Sequence, residues 1–107
     1  MLAQLITTLP DRPAALSLAR DVVERRLAAC VQVIDPITSV YRWEGSVRED
    51  TEVLCVMKVP SDRSAALTQH VRTVHPYDTP EIVVVDSSFV DHRYLAWARM
   101  EAADSAG

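Results

Sequence analysis

Between Cys30 and Val59 the chain runs through two stretches rich in Val, Ile, Thr and aromatics, residues 30–43 and 46–59, interrupted only by Glu44-Gly45. β-Branched and aromatic runs flanking a two-residue, glycine-bearing turn predict one long β-hairpin. Arms of about 14 residues reach ~45 Å at ~3.3 Å per residue. A compact chain of ~100 residues has a radius of gyration of ~13 Å and a diameter near ~34 Å. The hairpin therefore overhangs the body that carries it, and its free edges call for partner strands. Pro36 has no N–H to give to a ladder, so the first arm bulges or bends at Asp35-Pro36.

The rest of the chain arranges itself around this hairpin. Residues 2–8 are apolar and end at Leu9-Pro10-Asp11, a buried strand followed by a break. Asp11 caps a helix whose first turn tolerates Pro13, with Leu16, Ala19, Val23 and Leu27 spaced along one face. Pro60-Ser61-Asp62 opens a second helix that turns Leu67, Val71 and Val74 inward. It stops near Val74, because His75 precedes Pro76 and a residue before proline disfavours the α region. Residues 81–86 form a β-branched strand, Asp91 caps a last helix bearing Leu95, Trp97 and Ala98, and residues 104–107 read as a frayed tail. The order is β-α-β-β-α-β with a C-terminal helix, so the expected class is α+β, the ferredoxin-like split unit, as one domain over residues 1–107. Such a sheet has helices on one face, yet here both alternating sets of the second arm are apolar: Val53, Cys55, Met57 and Val59 on one side, Leu54 and Val56 on the other. The second face needs a cover, which predicts a homo-oligomer built sheet against sheet.

Charge narrows the partners. Eleven Lys and Arg against fifteen Asp and Glu leave a net charge of −4, which argues against nucleic acid and against an anionic membrane. No apolar stretch approaches the ~20 residues of a membrane-spanning helix. Residues 1–8 have neither a basic region nor a long apolar run, so the expectation is a cytoplasmic protein with reduced thiols.

Few residues carry metal or catalytic chemistry. With a two-residue turn, Cys30 faces Val59 and Cys55 faces Ile34, which sets the sulfurs about four residues, ~13 Å, apart. They form neither a disulfide nor a shared metal site within one subunit. Cys55, inside an apolar run, reads as core, while Cys30 at a helix-to-strand junction is either structural or a ligand. His75 sits beside Pro76, Tyr77 and Glu81, where it either presents a neutral imidazole to Cu(II) or Zn or caps the second helix. His70 points elsewhere and His92 follows an N-cap, so no chelating pair forms. Tyr41, Trp43 and Glu44 near the hairpin tip read as anchors for a neighbouring subunit. Alternatively, with Lys58, His75, Tyr77 and Glu81 they line an inter-subunit cleft for a small anion or metabolite. Residues 49–52 form an acidic stretch that reads as a solvated edge. The chain has only two glycines, Gly45 and Gly107, no phosphate loop, and no oxyanion hole beside Cys30 and His75, so no enzyme is expected.

Three segments resemble one known family. Arg26-Leu27-Ala28-Ala29-Cys30-Val31, then Thr38 to Gly45 (Thr-Ser-Val-Tyr-Arg-Trp-Glu-Gly), then His75-Pro76-Tyr77 with Pro80-Glu81-Ile82, are similar in order and spacing to the divalent-cation tolerance proteins of the CutA family. The resemblance implies a PII-like homotrimer whose long hairpins pack around a three-fold axis, with self-association as the first partnership. It further implies a role in tolerance of copper and other divalent cations, with His75 and Cys30 as metal-site candidates. Members often carry Cys near the end of the first strand and a second His before the His-Pro pair. Thr7 and Val74 stand at those positions here. The expected function is a copper-binding, metal-tolerance homotrimer. The alternative is a PII-like sensor of a small molecule acting on a protein partner of unknown identity.

Overall fold

A computed structural model describes residues 1–103; the tail expected at 104–107 lies outside them. Strands β1 (Leu2–Leu9), β2 (Cys30–Trp43), β3 (Ser46–Pro60) and β4 (Val83–Asp86) form one antiparallel sheet in the order β2-β3-β1-β4. Helices α1 (Arg12–Glu24) and α2 (Ser64–Val74) make the two crossovers, and α3 (His92–Glu101) follows β4. This is the split β-α-β topology that the element order predicts.

The hairpin closes as expected. Glu44 and Gly45 both take positive φ, +49° and +82°, the pair of left-handed residues that a tight turn needs to match the strand twist. Trp43 pairs with Ser46, and opposed residues keep one register down to Ile37 and Glu52. Leu9 pairs with Val53, so β3 residues 46–52 extend past the end of β1 with only β2 beside them. At about 3.3 Å per residue that is roughly 23 Å of overhang, and the molecule measures 47 Å along its longest axis.

The expected bulge falls between Ile34 and Ile37, at the cis Asp35-Pro36 peptide, and it corrects the register beyond it. Cys30 faces Lys58 rather than Val59, and Cys55 faces Val33 rather than Ile34. Both thiols are free.

One sheet face carries Ala3, Leu5, Leu9, Val53, Cys55, Met57 and Val59, packed under Ala15, Leu18 and Val22 of α1 and Leu67 and Val71 of α2. The α1 stripe is turned from the one expected: Ala15, Leu18, Ala19 and Val22 are buried, whereas Val23 is exposed. The 15-18-19-22 set is a closer i, i+3, i+4, i+7 match and puts small alanines where the helix meets the sheet. On α2 the last expected core residue, Val74, is 45% exposed because the helix ends there and the chain turns away. β4 begins at Val83, two residues later than expected.

The second face is partly covered by the chain itself. Leu2 and Ala29 pack with Ala98 of α3 and its C-cap Ala102, flanked by Val90, Tyr94 and Leu95. Arg26, held at φ +61°, ties this helix down. Its Nε donates to the Glu101 carbonyl at 2.9 Å and its Nη2 to that of Met100, satisfying C-terminal carbonyls that no helix turn can reach. Arg26→Ala is expected to lower stability by about 1 kcal/mol in urea denaturation, the net worth of charge-assisted bonds at an exposed helix end; an unchanged midpoint would show that α3 is held by its apolar contacts alone. Beyond α3 the face stays open, with Ile34, Val83 and Val85 about half exposed.

Candidate functional site

His75 sits where α2 ends against β1. Pro76 forces it into extended backbone, φ −64° and ψ 137°, while its N–H still closes the last helical turn on Val71. The residue is 8% exposed. Nε2 lies 3.0 Å from the Thr8 carbonyl and 3.0 Å from Thr7 Oγ1, and Nδ1 accepts the Tyr77 N–H at 3.1 Å. A carbonyl only accepts, so Nε2 carries the proton and the imidazole is the neutral Nε2–H tautomer. Burial holds its pKa below the ordinary histidine value, against the opposing pull of the Thr8 carbonyl and Glu52. Both ring nitrogens are thus engaged, one by its proton and one by a backbone donor. The imidazole works as a latch: it fixes the 75–77 turn to β1 and orients Tyr77, whose ring centroid lies 5.0 Å from its own.

Tyr77 reaches from that turn to the hairpin, donating its hydroxyl to Glu52 Oε2 at 2.8 Å. Tyr41, on β2, donates to Asp50 Oδ2. Both phenols titrate above the usual tyrosine range. For Tyr77 burial is the main cause, followed by the Glu52 carboxylate; for Tyr41 it is the hydrogen bond to Asp50. The overhanging hairpin on one side and the 76–81 loop on the other enclose a cleft of about 900 Å3. Tyr41, Trp43, Arg48, Asp50, Glu52, Pro76, Tyr77, Asp78 and Glu81 line it.

The bulge builds this cleft. Cross-strand partners share a face, and a one-residue shift moves every later side chain to the other side. Before the bulge Ile34 shares a face with Leu54; after it, Ile37, Ser39, Tyr41 and Trp43 share that face with Glu52, Asp50, Arg48 and Ser46. An unbroken strand would have put Val40 and Arg42 there instead.

Of the candidates read from sequence, Tyr41, Trp43, Tyr77 and Glu81 do converge on the cleft. Glu44 lies at the turn, 4.0 Å from Arg48. Within one chain Lys58 lies apart from them: it pairs with Gln4 and Cys30, six residues, or about 20 Å, along β3 from Glu52. Cys30 and His75 do not meet either. Cys30 shares the face of Gln4 and Lys58, with Tyr94 against it, whereas His75 holds Thr7, on the buried face beside Leu5 and Cys55. Cys55 is fully buried and desolvation pushes its thiol up to about 11. His70 binds Asp21 of α1 at 2.6 Å, which together with Arg25 holds that carboxyl below the usual range.

Among the described residues no group of three or more His, Cys, Asp and Glu is placed to hold a metal ion. His75 has no free lone pair, so the donors among the described residues of one chain do not fit a closed metal site. Sequence reasoning takes Asp50 and Glu52 for a solvated edge and misses both as tyrosine partners. The signal is present: opposed residues summing to 89 place Tyr41 across from Arg48 and diagonal to Asp50.

A ferredoxin-like sheet with a hairpin outrunning its body and a cleft at the root of the overhang defines an α+β protein that carries its candidate site on loop and hairpin rather than in the core. Comparison with known proteins makes this specific. The profile of the CutA1 divalent ion tolerance protein family matches residues 3–101. The CutA homolog of Xenopus laevis is 47% identical over 90 residues, covering 84% of this chain and 60% of its own. Human CutA is 46% identical over 92 residues, 86% of this chain and 51% of its own. The chain thus spans little more than half the length of these relatives. The structure of the divalent cation tolerance protein of Thermus thermophilus superposes with a TM-score of 0.90 at 37% identity, over 96% of this chain and 100% of that one. The chain belongs to the CutA1 divalent ion tolerance family. No helix among the described residues is long and apolar enough to cross a membrane.

Proposed function

We propose that this chain serves divalent-cation tolerance, without enzymatic activity, as a homotrimer joined through its hairpins, and that its tie to copper runs through the assembly. The observation that carries this is the overhang. Two strands leave the body with unpaired edges and exposed Val40, Val47 and Trp43, a surface that calls for strands and apolar groups of another copy. The family's divalent-cation name supports the metal role. Since the donors among the described residues of one chain do not fit a closed site, a specific ion would draw ligands from more than one subunit. A chelator-competed copper titration of the assembled protein, run beside zinc, tests this. Saturable copper uptake that persists in His75→Ala is expected. Uptake that never saturates would refute a direct role for copper, and uptake abolished by His75→Ala in an assembly of unchanged mass would place the ion at the latch instead.

The cleft favours a second reading, a PII-like sensor of a small molecule. Its volume lies within the ordinary range for ligand sites, roughly 300–1,000 Å3, and its wall depends on the His75 latch. Within one chain Lys58 stands about 20 Å along β3 from Glu52, so it reaches such a cleft only from another subunit.

A further inference from the structure

We propose that the cleft under the hairpin takes a small organic cation, an ammonium carried on an apolar or aromatic group, rather than an anion or a bare metal ion. The proposal rests on the second reading above, that the cleft binds a small molecule. Charge decides the sign. Asp50, Glu52, Asp78 and Glu81 line the cleft against a single guanidinium, Arg48, which leans toward Glu44 at 4.0 Å. An anion entering this field is repelled. The walls decide the kind of cation. Tyr41 and Tyr77 line the same concavity, and within one chain Tyr41 keeps 40% of its surface exposed. Aromatic faces attract an ammonium through their quadrupole and also accept the hydrocarbon attached to it. A compact metal ion gains nothing from these rings and needs converging oxygens. Here one oxygen of Asp50 and one of Glu52 is already held by a tyrosine hydroxyl, and no metal-holding group of three forms among the described residues. Those same hydroxyl bonds anchor both phenols to the hairpin.

The test uses three probes that share one phenylethyl skeleton, 2-phenylethylammonium, 2-phenylethanol and 3-phenylpropionate, titrated calorimetrically into the native assembly. The ammonium is expected to bind about tenfold more tightly than the alcohol, and the carboxylate more weakly than either. Glu81→Gln, a change at an exposed position that leaves the aromatic walls intact, is expected to weaken the ammonium about threefold or more while leaving the alcohol unchanged. Equal binding of ammonium and alcohol, or tighter binding of the carboxylate, would overturn the cation assignment while leaving the cleft a ligand site. Saturation by none of the three would sink both the assignment and the sensor reading.

Discussion

His75→Ala is expected to lower unfolding stability by about 3 kcal/mol. The substitution leaves a cavity at a side chain that is 8% exposed, and it strips partners from the Thr8 carbonyl, the Thr7 hydroxyl and the Tyr77 N–H. An orphaned buried polar group costs about 1–3 kcal/mol, partly relieved where water enters. Urea denaturation measures it; a loss under about 0.5 kcal/mol, the scale of an ordinary surface change, would mean that the latch is dispensable. The same residue gives stability a pH dependence. Its folded pKa lies below the ordinary 6.5, so the folded state favours the neutral ring. The contribution is complete above 6.5 and is lost as pH falls through the lowered folded value, because the unfolded chain then binds the extra proton. Asp21, also lowered in the folded state, adds a second loss that begins near 3.8 and deepens with acid. In His75→Ala the first step should vanish and the second remain.

Trp43→Ala is expected to weaken the assembly by about 2 kcal/mol or more per site, the scale of an aromatic anchor at an interface centre. Within one chain the indole is 45% exposed at the end of a hairpin that overhangs the body, so its loss should cost the isolated fold little. The readout is mass by light scattering at low micromolar concentration. The parent should hold at three times 11.9 kDa while the variant shifts toward the single chain. An unchanged mass would remove Trp43 from the interface, and a parent already at one chain would overturn the trimer.

The hairpin and the topology were legible because they rest on local signals. Alternation of period two, a Glu44-Gly45 turn and the missing donor of Pro36 each act within a few residues. The α1 face is ambiguous in sequence because apolar residues cover more than one stripe of that helix, and only the sheet beneath selects Ala15, Leu18, Ala19 and Val22. Cys30 and His75 pair by chemistry as metal candidates, yet the sheet separates them. A one-residue shift at the bulge sets Cys30 opposite Lys58, and the pleat puts it on the face away from Thr7. The latch was half visible: the sequence offered His75 as a neutral ligand or a helix cap, but its partners Thr8 and Thr7 lie 67 and 68 residues away, beyond the reach of any local pattern.

By itself, then, the sequence determined the order of elements, the overhang and the place of the bulge, since backbone donors, turn dihedrals and hydrophobic alternation are properties of neighbouring residues. Only the tertiary structure decided which side chains share a surface. Crossing from β1 to the end of α2 brought His75 onto Thr8, and a single extra residue in β2 turned Tyr41 and Trp43 toward Asp50 and Glu52. Strand register and helix docking are set by the packing of the whole sheet, so chemistry that depends on them appears only once the chain has closed.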